Sequence, residues 1–314
     1  MKLKEVVVLW AQEKKRQVKS STFNAYALSI KTKILPYFGE MDVTEIDKIA
    51  VKKFVSEQLE NNSPKTVKDM LIVLKMLINY ASEECEIIGL STKWKIVWPT
   101  VNLSVNKIER YSIQQVKQIA EYCQENPSPT TLGVLLALTT GMRIGELCAL
   151  QFSDVDMERN VIKVSKTLGR TYNVEMFGES KRETKTKIEI GRPKTISSNR
   201  EIPITGKVRK LIKNYVAVSK PEYYLCSGKK TCCEPRLFRE RAKAVLKAAG
   251  IETPLKFHAF RHTFATTLIE NRTDVKTVSA ILGHSDVSIT LNLYVHPSDS
   301  AKANAISKTF NGLL

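Results

Sequence analysis

The chain has 314 residues, 43% of them hydrophobic, enough for two packed domains and too many for a disordered chain. Lys and Arg number 49 against 32 Asp and Glu, a net charge of +17. The apolar run Val6-Val7-Val8-Leu9-Trp10 is too short for a signal-peptide core or a membrane span, so the expectation is a cytoplasmic protein with no membrane partner.

The first hundred residues read as helices. Residues 20–35 carry Phe23, Tyr26, Ile30 and Ile34 at helical spacing, with Gly39 just beyond. A second helix is expected over 47–60. A third opens with Ser63 as N-cap and Pro64 at the first helical position, and Val67, Leu71, Leu74, Ile78 and Ala81 step along it. Residues 1–87 therefore read as a helical bundle whose polar faces carry Lys65, Lys68 and Lys75, either solvated or set against phosphates. Residues 88–110 lose the period, contain Gly89 and Pro99, and read as a linker in which Trp94 and Trp98 pack.

A second domain is expected over 111–297. Its first helix opens at Ser112, with Gln115 completing a capping box. Residues 130–140 are apolar nearly all round and so belong at a domain centre. Gly141 ends that helix and Arg143 opens a short one over 144–150. Residues 160–165 and 200–204 read as strands, and the long polar stretch 166–199 adds strand character around Ile188 and Ile190. A basic amphipathic helix over 235–249 stops at Gly250, and three more cover 257–270, 274–282 and 286–294. Residues 298–314 form a tail. The fold class is α+β, mostly helical: an N-terminal helical bundle, then a mixed helical domain with a small antiparallel sheet.

The basic excess is +5 over residues 1–110 and +12 over the rest, so no single tail carries it. Basic surface on both halves suits a polyanion gripped from two sides, with simple solubility as the plain alternative. Six cysteines lie scattered with no Cys-x-x-Cys pair, and no paired histidine stands near Cys226, Cys232 and Cys233. Reduced thiols fit that spacing better than a disulfide framework or a zinc site.

Chemistry concentrates in the last quarter, where His258, Arg261, His284 and Tyr294 stand at fixed separations. Upstream, the run Thr140-Gly141-Met142-Arg143-Ile144-Gly145-Glu146 adds an arginine, and Pro193-Lys194-Thr195 a lysine. Arginines donate paired hydrogen bonds to phosphate oxygens, histidines move protons, and a phenol can attack phosphorus once it loses its proton. Each residue also has an ordinary structural use: Arg143 can pair with Glu146, His284 can cap a helix C-terminus, and Tyr294 can fill a core. Six residues able to build one phosphate site outweigh separate explanations for each. His262 and His296 read as structural, the first through helix packing. No carboxylate cluster suggests a metal, and no Gly-rich motif suggests a nucleotide, so no cofactor is expected.

In order and context these motifs resemble those of the tyrosine recombinases, or phage-type integrases. The Arg143 run resembles that family's first arginine motif, Pro193-Lys194-Thr195 with Arg200-Glu201-Ile202-Pro203 its lysine hairpin, and His258-x-x-Arg261-His262-Thr263 its second box. Leu282-Gly283-His284 and Tyr294-Val295-His296-Pro297 resemble its third. The resemblance spans about residues 110 to 297, and 1–87 fits the family's core-binding domain. It implies a site-specific recombinase acting through a 3′-phosphotyrosyl intermediate. Tyr294 would be the nucleophile, Arg143, Arg261 and His284 the phosphate clamp, His258 the base, Lys194 the acid, and Glu146 a support for Arg143.

The implied partners are double-stranded DNA recombination sites, a homotetramer assembled on them, and accessory bending or excision factors. In the tail, Ala301, Ala305, Ile306 and Phe310 would dock on a neighbouring protomer. Met1 leads directly into a core-binding-like helix, so the small β domain with which many such integrases begin is expected to be absent. Integration or excision of a mobile element or prophage is the expected role, with chromosome-dimer resolution as the alternative. A type IB topoisomerase-like enzyme and a non-catalytic DNA-binding regulator are the rivals from outside recombination.

Overall fold

The computed structural model describes residues 1–99, 109–172, 186–191, 196–204, 206–294 and 307. The stretch 173–185, Lys194 and the expected tail 298–314, apart from residue 307, lie outside the described residues. The chain divides into two compact units, one from residues 1–104 with 170–187, the other from 105–169 with 188–314.

The first unit contains α1 (Leu3–Gln17), α2 (Ser20–Ser29), α3 (Leu35–Phe38), α4 (Lys48–Asn61) and α5 (Pro64–Glu83). Ser63 accepts the amide of Thr66, satisfying a donor that the first turn of α5 leaves open, and Pro64 supplies a preset φ. The apolar stripe expected along α5 is buried, from Val67 to Ala81. Around it Trp10 stacks on Phe23, and Phe54 meets Tyr37 and Phe38. The single helix expected over 20–35 is instead broken by a π-turn, Ile30–Ile34, before α3. Pro36 has no N–H for the carbonyl four residues back, so the helix widens just before it. Trp94 joins this core at 8% exposure, with the Lys75 ammonium over its ring, and the Lys68 ammonium sits 4.9 Å from the Trp98 ring centroid. Two of the three lysines read as either solvated or set against phosphates thus lie against indoles.

The second unit begins with α6 (Ile113–Glu125), α7 (Pro129–Thr140) and α8 (Ile144–Ala149). Strands β1 (Val155–Asp156), β2 (Val161–Val164), β3 (Thr167–Tyr172), β4 (Thr186–Gly191) and β5 (Arg200–Pro203) follow in the chain, β3 from Arg170 and β4 as far as Lys187 being counted with the first unit. Helices α9 (Gly206–Val218), α10 (Pro235–Ala248), α11 (His258–Glu270), α12 (Val275–Leu282) and α13 (Val287–Tyr294) complete the described elements. Helix α7 is apolar all round and lies at the centre, packed by α6, α9, α10 and α11. Strands β1, β2 and β5 form an antiparallel sheet in that order, with Ile162 opposite Ile202 and Val164 opposite Arg200. Ile162, Val164 and Ile202 turn inward, which fixes the register and sets Arg200 at a sheet end. Strands β3 and β4 make a second, two-stranded sheet. The fold is mostly helical with a small antiparallel sheet. No described helix is long and apolar enough to cross a membrane.

Two helices end at glycines in the left-handed region, Gly141 after α7 (φ +63) and Gly283 after α12 (φ +65). A Cβ on Gly141 would stand 2.6 Å from Phe264 Cδ1 and 2.9 Å from Leu282 Cδ2. Gly141→Ala should therefore cost about 2–4 kcal/mol, from left-handed strain plus overpacking. Urea unfolding should show a lower midpoint at unchanged slope; an unmoved midpoint would remove the steric basis for this turn.

Candidate active site

Arg143 caps the N-terminus of α8. Its amide donates to Glu146 Oε2 (3.0 Å) and its Nη1 to Glu146 Oε1 (2.8 Å). This places the Glu146 carboxylate in the first turn, where the helix dipole favours an anion. Glu146 is only 3% exposed, and Arg200 Nη2 donates to its Oε2 at 3.0 Å. One buried carboxylate thus joins two guanidinium groups from different elements. Burial alone would raise its pKa, but the hydrogen bond and charge of Arg200, followed by the amide and charge of Arg143, outweigh it and hold Glu146 below the ordinary value.

Backbone carbonyls supply the remaining restraints. Arg261, on α11 and 2% exposed, donates to the carbonyls of Gly141 (2.9 Å) and Leu282 (2.7 Å). Arg143 Nη2 donates to Gly283 O at 3.3 Å, and Arg200 Nε to Ile281 O at 2.5 Å. These carbonyls belong to the C-terminal ends of α7 and α12, which lack intrahelical donors and carry the negative end of the helix dipole. Burial and then Arg143 push the Arg261 guanidinium down to about 9, so it stays charged at neutral pH.

The histidines and the tyrosine complete the cluster. His284 follows Gly283, and its Nδ1 lies 2.8 Å from Thr290 Oγ1 on α13. Burial, then Arg261, Arg143 and Arg200, lowers it to about 4. His258 keeps an exposed edge, yet desolvation followed by His262, Arg261 and Arg143 brings it to about 4 as well. Tyr294 is 7% exposed, one helical turn beyond the fully buried Thr290. Burial raises its phenol, while Arg261 and Arg143 pull it back down.

The phenol oxygen lies 2.8 Å from His262 Nδ1, and the His262 ring meets His258 edge to face, with centroids 4.6 Å apart. Helix packing was the role expected of His262; its contact is the tyrosine oxygen. The i, i+4 spacing of His258 and His262 was the available signal, since it puts both rings on one helix face. Arg200 was the other omission. Its partner Glu146 is 54 residues away, and no local pattern announces it.

Arg143, Glu146, Arg261, His258, His284 and Tyr294 therefore come together in the second unit, whereas Lys65, Lys68 and Lys75 belong to the first. Among the described residues no group of three His, Cys, Asp or Glu is arranged to hold a metal ion. The cluster can bind an anion through guanidinium groups, present neutral imidazoles to it, and bring a phenol beside both.

Comparison with known proteins gives matches in both sequence and fold. Residues 109–301 match the model of the phage integrase family, and residues 2–59 match its N-terminal SAM-like domain. The chain is 30% identical over 292 residues to a tyrosine recombinase XerC-like protein of Caldanaerobacter subterraneus, covering 87% of this chain and 73% of that one. In structure it is similar to the Tn1549 transposon integrase solved with circular intermediate DNA, with a TM-score of 0.74 at 20% identity over 98% and 99% of the chains. It is also similar to lambda integrase, solved as a tetramer bound to a Holliday junction, with a TM-score of 0.68 at 16% identity over 92% and 79%.

The depressed histidines set a pH dependence. In the unfolded chain His258 and His284 bind protons below about 6.5, whereas in the fold they do so only near 4. The unfolded state thus holds more protons within this window, and stability falls as pH drops from 6.5 to 4. Melting curves should record that decline, and His258→Asn with His284→Asn should flatten it. An unchanged slope in the double variant would mean that other groups set it.

Proposed function

Because the chain belongs to the phage integrase family, the tyrosine recombinases, whose members cut and rejoin DNA, we propose that Tyr294 is the nucleophile of a site-specific recombination reaction. The phenol oxygen forms a bond to the scissile phosphorus, the bond to the 5′ oxygen breaks, and the cut strand is held as a 3′-phosphotyrosyl ester. Attack by another strand's 5′ hydroxyl reverses the chemistry and reseals the DNA, so no external energy source is required.

The observation that carries this reading is the buried Tyr294 hydroxyl 2.8 Å from His262 Nδ1 on α11, the helix that also presents the buried Arg261. Arg143 and Arg261 are assigned to the non-bridging phosphate oxygens, where charge grows during attack. His284 adds a further hydrogen bond there, and His258 belongs to the base side of the site. Lys194 is assigned to protonating the leaving 5′ oxygen, and Glu146 holds Arg143 in place.

Residues 1–87 are taken as the core DNA-binding domain, 88–110 as its linker and 111–297 as the catalytic domain. The lambda integrase tetramer on a Holliday junction supports assembly of four copies on two DNA sites. Accessory bending or excision factors belong to the same reading. Integration and excision of a mobile element is the preferred role, supported by the long polar stretch 166–199. The XerC-like name of the 30% identical relative favours chromosome-dimer resolution as a second reading. Flanking direct repeats and an adjacent excision factor at the gene separate the two.

The test uses a pool of nicked duplexes randomised around the nick, from which wild-type protein selects those it captures covalently. Wild type should give a denaturant-resistant adduct and Tyr294→Phe none, while Arg143→Ala or Arg261→Ala should slow capture by about two to three orders of magnitude. Duplexes bound but never captured would leave a non-catalytic regulator. Supercoil relaxation without exchange between two marked duplexes would leave a topoisomerase-like enzyme.

A further inference from the structure

The base side of the reaction has two candidates on one helix face, and only one of them touches the reacting oxygen. His262 Nδ1 is 2.8 Å from Tyr294 Oη, within proton-transfer reach. His258 meets the His262 ring edge to face, with centroids 4.6 Å apart, so it stands next to His262. We infer that His262 is the residue that takes the phenol proton in the cleavage step, with His258 as its positioning neighbour; this rests on Tyr294 being the nucleophile, as proposed above.

The surroundings favour that transfer. On α11 the His262 ring is flanked by Arg261 and His258, and Tyr294 reaches it from α13. Arg143, at the start of α8, acts on both His258 and Tyr294, and His258 acts in turn on His284 beyond α12. Burial and then Arg261 keep His262 below its ordinary value, so the ring is neutral at pH 7 and Nδ1 can accept while Nε2 carries the hydrogen. The phenol then donates the hydrogen bond. Arg261, which together with Arg143 lowers the cost of a phenolate, also disfavours an imidazolium at His262 until a phosphate enters. A bound phosphodiester offsets the charge that opposes the imidazolium, and the proton leaves as the phenol oxygen bonds to phosphorus, so no free phenolate has to accumulate.

The step balances. The Tyr294 proton moves from Oη to Nδ1, and the freed electron pair on Oη forms the bond to phosphorus. The bond to the 5′ oxygen breaks with its pair on oxygen, which takes a proton from the acid of the site. On resealing, the His262 imidazolium returns its proton to the departing phenol oxygen.

The test measures the rate of adduct formation against pH, using one duplex captured by wild type, with wild type, His262→Ala, His258→Ala and His258→Gln. His262→Ala should be slower by about a hundredfold or more at pH 7, as expected for loss of a general base. Its rate should climb with pH as hydroxide replaces the base. Free imidazole added to His262→Ala should restore part of the rate, and melting curves should show that the variant is folded. His258→Gln should keep the wild-type pH profile at a lower plateau. His262→Ala with a wild-type rate and profile, or imidazole rescue of a His258→Ala variant alone, would overturn the inference and leave the nucleophile assignment intact. A wild-type protein that forms no adduct with any duplex would overturn both.

Discussion

A single buried carboxylate organises this site. Glu146 joins Arg143 to Arg200, and both arginines reach onward to carbonyls where α12 ends. Without Glu146, Arg200 at 6% exposure would be a buried cation lacking its ion-pair partner, a defect that typically costs about 3–5 kcal/mol. The carboxylate also offsets the repulsion that Arg143 and Arg200 exert on a third arginine, the 2%-exposed Arg261. Charge placement at the site thus follows from the folding of the second unit. The sheet brings Arg200, the first turn of α8 brings Glu146 and Arg143, and two left-handed glycines expose the carbonyls that hold Arg261 and Arg143.

The site is buried and rich in positive charge, and its neighbours register the burial first and the charge second. His258 and His284 are held near 4, His262 is lowered, and the burial of Tyr294 is partly offset by Arg261 and Arg143. An arriving phosphate would offset the positive charge that disfavours protonated histidines here, and a pentacoordinate phosphorus with more charge on its oxygens would offset it further. Preorganised donors of this kind stabilise a transition state without reorganising during the reaction. Neutral imidazoles in such a pocket are ready to accept protons, which a protonated histidine cannot do.

Much of this was legible in the sequence because the signals are local. Ser63-Pro64, Ser112 with Gln115, and the glycines at 141 and 283 mark helix ends through backbone chemistry that depends on a few neighbouring residues. The all-round apolar character of Leu132 to Leu138 announces a central helix. The site residues were readable as a set because each has a residue type suited to phosphate chemistry and a recognisable local context. What escaped is long-range or competes with a local rule. Arg200 finds Glu146 only through the sheet register. His262 follows Arg261 immediately, so its part was obscured by that neighbour although it shares a helix face with His258. The π-turn at Ile30–Ile34 is a response to Pro36 that helical spacing alone does not show. Helix α9 has apolar Val208, Leu211, Ile212 and Tyr215 at helical intervals, a signal present but weaker than its basic surroundings.

The most direct measurement is peptide-resolved mass spectrometry of protein trapped on cleaved DNA and digested with nuclease and protease. The account predicts a nucleotide joined through its 3′ phosphate to the peptide that contains Tyr294, with fragment ions placing the added mass on that phenol. The same mass on a serine, a histidine or another tyrosine would contradict it.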